Sequence, residues 1–130
     1  MNRRDMLKDT LINSFNYHDG EIIEFKKDGF DYILKFIDGW VDNQVNEIRF
    51  QTARVLNNYD LTDRVIYQLG NLDFVEANST SYIYFFEIFV WYERNLVEVV
   101  KVEASNLLSK KYFNNELVKE EDLGQILFSK

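Results

Sequence analysis

No cysteine and no proline occur in the 130 residues, and there is a single histidine. Without cysteine the chain has no disulfide, no thiolate nucleophile and no cysteine metal ligand. A chain of this length buries about two-thirds of its unfolded surface and folds without such staples. One histidine excludes a multi-histidine metal site within a monomer. Without proline, turns fall to Gly, Asn, Asp and Ser. No Gly-rich phosphate loop, no Gly-x-Ser-x-Gly elbow and no paired-histidine spacing is present. Ser79, Thr80 and Ser81 read as turn residues, with no base near them in sequence. The longest apolar run, 82–92, is too short for a membrane-spanning helix, which needs roughly 20 residues. Met1 to Met6 leads into no run of signal-peptide type. The expectation is one soluble, cytoplasmic, β-rich domain over 1–130, with no cofactor, no metal and no membrane association.

Charge is also one-sided. Twenty-two acidic residues outnumber fifteen Lys and Arg, for a net charge of −7. Nucleic-acid binding wants a basic face, and Lys26-Lys27 and Lys110-Lys111 are only isolated pairs. No nucleic-acid partner is therefore expected. The general reading of an acidic balance is solubility. The sharper one is a basic protein partner. The stretch 57–92 sets Asp60, Asp63, Asp73, Glu76 and Glu87 against Arg64 alone.

What the chain does have is aromatic residues, 16% of the total. They concentrate in Tyr82-Ile83-Tyr84-Phe85-Phe86-Glu87-Ile88-Phe89-Val90-Trp91-Tyr92. Alternation puts Ile83, Phe85, Glu87, Phe89 and Trp91 on one face and Tyr82, Tyr84, Phe86, Ile88, Val90 and Tyr92 on the other. Both faces are apolar, which predicts a central strand covered on both sides.

The rest of the chain is arranged around that strand. Leu7, Leu11 and Phe15 at spacing four predict a short amphipathic helix over 2–15. Strands follow at about 21–26 and 30–37, joined at the hairpin signal Asp28-Gly29. Trp40 to Asn43 forms a loop in which Trp40 folds back onto apolar surface. A third strand spans roughly 45–56, where Ala53 and Val55 fall out of phase with Ile48 and Phe50. An extra residue near Gln51-Thr52, a β-bulge, restores the inward face. Residues 60–70 fit either a helical turn or a short strand or irregular loop, with Gly70 and Asn71 cutting the element off. A fourth strand covers 72–77, and a last long one 96–108 shifts phase near Val100. Ile48-Arg49-Phe50 with Ala53, Val55 and Leu56 echoes Val100-Lys101-Val102 with Ser105, Leu107 and Leu108. Asn114 reads as the cap of a short helix through Leu123, ended by Gly124. Lys119-Glu120-Glu121-Asp122 reads as solvated surface. The fold class expected is mainly β: an antiparallel curved sheet or sandwich of two three-strand meanders, 21–56 and 72–108, with short N-terminal and C-terminal helices.

Seven residues stand out as binding candidates: His18, Asp19, Trp40, Asp60, Asp63, Glu87 and Trp91. His18 and Asp19 suggest acid–base work, but adjacent residues of an extended chain point to opposite faces. The alternative is a structural turn in which Asp19 bonds backbone amides. Glu87 is a carboxylate among Ile83, Phe85, Phe89 and Trp91, so it must have a raised pKa, a cationic partner or access to water. It is a ligand contact if its face lines a pocket, and a surface charge at a rim. A pairing with Arg49, Arg54 or Lys101 is the third choice.

Tyr17-His18-Asp19-Gly20-x-Ile22-x-x-Phe25 resembles the aromatic-His-Asp-small motif that opens the first strand in several uncharacterised bacterial families, some grouped with immunity proteins of polymorphic toxin systems. Asp31-x-x-Leu34-x-Phe36 and Ile48-x-Phe50-x-x-Ala53 fit that pattern in type and order. Tyr17 stands where phenylalanine is commoner, and Gly20 where alanine is. The resemblance covers residues 15 to 56. It implies a β-rich bacterial protein that binds and neutralises a cognate toxin, and it supplies no catalytic residues. The functional expectation is a non-catalytic binding protein of that immunity type, whose acidity steers a basic toxin towards it. The rival is a small-ligand-binding β half-barrel with an aromatic-lined pocket anchored by Glu87. An enzyme built on His18 and carboxylates ranks last.

Overall fold

The computed structural model describes residues 20–57, 65–78, 81–93 and 96–122. All regular structure among them is antiparallel strand: β1 (Ile22–Asp28), β2 (Asp31–Ile37), β3 (Gln44–Gln51), β4 (Arg54–Val55), β5 (Val65–Asn78), β6 (Ser81–Glu93), β7 (Leu96–Ala104), β8 (Asn106–Phe113) and β9 (Glu116–Asp122). They form a five-stranded sheet in the order β1-β2-β3-β8-β9 and a four-stranded sheet in the order β4-β7-β6-β5. The two expected meanders are present as β1–β3 and β5–β7. The helix expected over 2–15 lies outside the described residues.

Each meander ends by crossing into the other sheet, which is what the phase shifts in the sequence record. β3 passes through Thr52 and Ala53 into β4, and β7 passes through Ser105 into β8. The two crossings lie side by side. Gln51 pairs with Asn106, Arg54 with Glu103 and Val55 with Val102, so the register continues unbroken across the corner. The Ser105 amide and hydroxyl both donate to the Gln51 carbonyl, at 2.9 and 3.0 Å. The echo between 48–56 and 100–108 thus marks two strands that turn the same corner against each other. No residue is inserted at Gln51-Thr52, so the expected bulge is instead this corner, and the shift expected near Val100 falls at Ser105. Among the described residues one isolated bridge, Glu21 to Val65, joins the sheets again elsewhere.

Thr52 carries a φ of 46°, a left-handed conformation that a β-branched residue adopts at a cost of about 1–2 kcal/mol. The β1–β2 hairpin holds it there. Asp31 accepts from the Thr52 amide at 2.9 Å, and the Phe30 carbonyl from the Ala53 amide at 2.7 Å. Arg49 donates to Asp31 at 2.6 Å and to Asp28 at 2.8 Å. The Thr52 amide, and then Arg49, hold the Asp31 carboxyl below its ordinary pKa, partly opposed by burial. A depressed carboxylate stabilises the fold above its unfolded pKa, and that stability is lost as pH falls through the folded one. Wild type should therefore lose more stability than Asp31→Asn between about pH 5 and pH 3. Urea midpoints measured across that range test this, and parallel curves for the two proteins would refute it.

The hairpins show which turn chemistry won. Gly29 has a φ of 65°, while Asp28 and Asp31 pair on either side of Gly29-Phe30. Glycine therefore takes the first central position of a two-residue turn, as in type II′. Asn114 and Asn115 have φ values of 51° and 68°, and Phe113 pairs with Glu116. Two left-handed residues in succession make a type I′ hairpin, so β9 replaces the helix expected over 114–123. An asparagine after an apolar run serves a hairpin as readily as a helix cap, and the extended β8 before it decides the matter. In β5, Gly70 and Asn71 do not end the element. The register shifts between Gly70 and Asp73 and the strand continues, so the expected break is an irregularity inside one long strand.

β6 lies between β5 and β7, paired along both edges. Its two faces are not equivalent. Tyr84, Phe86, Ile88 and Val90 are buried, whereas Ile83, Phe85, Glu87, Phe89 and Trp91 are half-buried. The expected cover on both faces is complete on one and partial on the other. The buried face meets Leu34, Phe36, Ile48 and Phe50 of the five-stranded sheet, and the Phe50 and Phe86 rings sit 5.4 Å apart. Among the described residues no helix is long and apolar enough to cross a membrane.

Candidate functional site

β2 and β3 are joined by residues 38–43, and the geometry there is set by Asp38. Its side chain is 6% exposed. Oδ1 accepts from the Trp40 and Val41 amides, both at 2.9 Å. Oδ2 accepts from Gln44 Nε2 at 2.9 Å and Asn46 Nδ2 at 3.1 Å. One carboxylate thus nucleates the turn and ties it to β3, as Asp does two or three residues ahead in Asx turns. Asn43, at a φ of 64°, closes the loop, and its carbonyl accepts from the Asn114 amide at 3.0 Å. The β2–β3 loop and the β8–β9 turn therefore form one end of the five-stranded sheet.

Trp40 does not fold back. It is 80% exposed, because the Asp38 turn fixes the backbone and projects the indole outward. It is not isolated. Of the nine most exposed large apolar side chains among the described residues, six lie at this end: Ile37, Trp40, Val41, Phe113, Leu117 and Val118. Register explains the grouping. Ile37 pairs with Val45, Val45 with Tyr112 and Tyr112 with Leu117, an apolar row across four strands on the outer face. Soluble proteins rarely leave such clustered apolar surface without a use. Asp42, Glu116 and Glu120 are exposed around it.

The neighbouring row on the same face is charged. Glu24 pairs with Lys35, Lys35 with Glu47, Glu47 with Lys110 and Lys110 with Glu120. Signs alternate across all five strands, and Lys35 lies 3.7 Å from Glu47 and 4.0 Å from Glu24. Opposite charges on facing strands favour this register over a slipped one. On the inner face of the same end, Lys111 lies opposite Asn46 and Lys119. Burial, then Lys119, draw the Lys111 ammonium below its ordinary pKa, against the pull of Asp38 and Glu121. Lys119 pairs with Glu121 at 2.7 Å. Among the described residues no group of three or more His, Asp or Glu side chains is placed to hold a metal ion.

Of the singled-out residues that are described (Trp40, Glu87 and Trp91), Trp40 belongs to this end. Glu87 sits on the face of β6 turned away from the core, opposite Gly70 on one side and Lys101 on the other. Trp91 shares that half-buried face. His18, Asp19, Asp60 and Asp63 lie outside the described residues. Sequence reasoning missed Asp38 and the row Ile37-Val45-Tyr112-Leu117. The row has members from four strands and no linear signature. Compared with known proteins, the chain matches no family model, no curated protein and no solved structure.

Proposed function

We propose that this chain is a non-catalytic binding protein, an immunity-type inhibitor of a basic bacterial toxin, and that its contact surface is the Trp40 end of the five-stranded sheet. The observation that carries the reading is the exposed apolar cluster with acidic residues around it, whose Trp40 and Val41 are held on a loop by Asp38. Recognition surfaces combine an aromatic anchor with a polar rim in this way, and complementary charge speeds association. The Tyr17-His18-Asp19-Gly20 resemblance supports the immunity assignment, and the net charge of −7 supports a basic partner.

The gene beside this one supplies the test. Its product is expected to arrest growth when expressed alone, and co-expression of this chain to relieve the arrest. Trp40→Ala should weaken binding to the purified product at least tenfold, as truncation of an aromatic anchor does. Its melting temperature should match wild type, because the indole packs on little. A neighbouring product that is harmless and unbound would defeat the proposal, as would full affinity in Trp40→Ala.

A further inference from the structure

We infer that β9 is an acceptor edge, to which an extended, lysine- or arginine-bearing segment of a partner adds as a sixth strand of the five-stranded sheet. The inference rests on the binding-protein reading and states how the partner is engaged. An edge strand presents a row of N–H and C=O groups able to pair with another chain, and proteins ordinarily blunt such edges. The other edges are treated in that way. β1 exposes Lys26 and Lys27, has an irregularity between Ile22 and Glu24, and starts at the bridge from Glu21 to Val65. β4 is two residues long. The register of β5 shifts in three places.

β9 differs. It has seven residues, pairs with β8 on one side, and among the described residues has no strand on the other. One shift in register, opposite Lys111 and Tyr112, leaves Leu117 and Val118 both exposed, by 49% and 59%. Lys119 is the one lysine of this edge, and beside it Leu117 and Val118 present apolar side chains continuous with the row from Ile37 to Leu117. Its charge names the occupant. Within β9, Glu116, Glu120, Glu121 and Asp122 outnumber Lys119, and the acidic excess remains although Glu120 lies opposite Lys110, Glu121 pairs with Lys119 and Asp122 accepts from Asn106. A second copy of this chain pairing edge to edge would set acid against acid, which destabilises facing strands. A basic strand with apolar residues between its charges would meet both the carboxylates and the exposed Leu117 and Val118. This is strand addition, in which backbone bonds supply affinity and alternate side chains supply selectivity.

A capped ten-residue peptide alternating lysine and valine is the probe, titrated into the isotope-labelled full chain while backbone amide shifts are followed. Shifts confined to 116–122 and the adjoining β8 are expected. Affinity should fall at least tenfold when alternate peptide amides are N-methylated, and at least fivefold in Glu120→Lys or Glu116→Lys. The matching glutamate–valine peptide should not bind. Equal binding of the methylated peptide, shifts elsewhere, or self-association of the chain through β9 would each overturn the inference. Because no toxin enters this assay, its failure would remove the acceptor edge alone, and growth rescue would still decide the wider reading.

Discussion

Phe86→Ala is expected to lower the free energy of unfolding by about 3–5 kcal/mol, the usual cost of deleting a fully buried ring. Phe86 is buried at the centre of β6 and packs 5.4 Å from Phe50, with Ile48, Val100 and Val102 in the same cluster. Both sheets contribute to that contact, so neither can close the space alone. A domain of this size is stable by only about 5–15 kcal/mol, so one substitution removes a large share. Phe85→Ala, one residue away on the half-buried face, should cost about half as much or less, because its area is already partly in water. Urea denaturation of the two variants beside wild type measures the contrast. Equal losses would mean that the faces of β6 are misassigned. A double substitution of Phe50 and Phe86 should cost less than the sum of the singles, since the rings share one contact.

Asp38→Ala should be nearly as damaging, at about 3 kcal/mol, although no apolar core side chain is touched. The substitution strips a nearly buried carboxylate from two backbone amides and two side-chain amides. Asn46 is fully buried, so its Nδ2 is left without the Asp38 acceptor, and unmet donors in such places cost about 1–3 kcal/mol each. Asp38→Asn is the finer probe. It keeps an oxygen for the Trp40 and Val41 amides but turns an NH₂ towards the donors of Gln44 and Asn46, and should cost about 2 kcal/mol. Both substitutions should also loosen the loop that carries Trp40. In a Trp91→Phe background, Trp40 fluorescence anisotropy should fall and binding weaken together. A stable Asp38→Ala protein with an unaltered Trp40 signal would show that the loop is ordered by something else.

The two loop predictions, Asp38 and Trp40, separate positioning from contact. Asp38 substitution should reduce both stability and binding, whereas Trp40→Ala should reduce binding alone. That division follows from burial: the carboxylate is inside the network and the indole is outside it.

Local pattern was enough to reveal most of the strands, though not β9 or the start of β5. Alternation over 82–92 marked β6, Asp28-Gly29 marked the first hairpin, and the out-of-phase pair Ala53 and Val55 marked a departure from regular pairing. These signals survive in one dimension because side-chain direction in a strand repeats every two residues. The expected helix over 114–123 failed because Asn114 is compatible with two local conformations, and only pairing of β8 with β9 selects between them. Trp40 was misplaced because the hydrophobicity of an indole says nothing about the turn that carries it.

By itself the sequence determined that this is an antiparallel β protein of two meanders, acidic overall and with no cysteine or multi-histidine chemistry, since composition and two-residue periodicity are properties of neighbours along the chain. Tertiary structure alone decided that each meander turns a corner into the other sheet, that one face of β6 is buried and the other only partly so, and that Ile37, Val45, Tyr112 and Leu117 form a single row. Cross-strand register makes neighbours of residues as far apart in sequence as Gln44 and Phe113, and the energies that select it are spread over whole sheets.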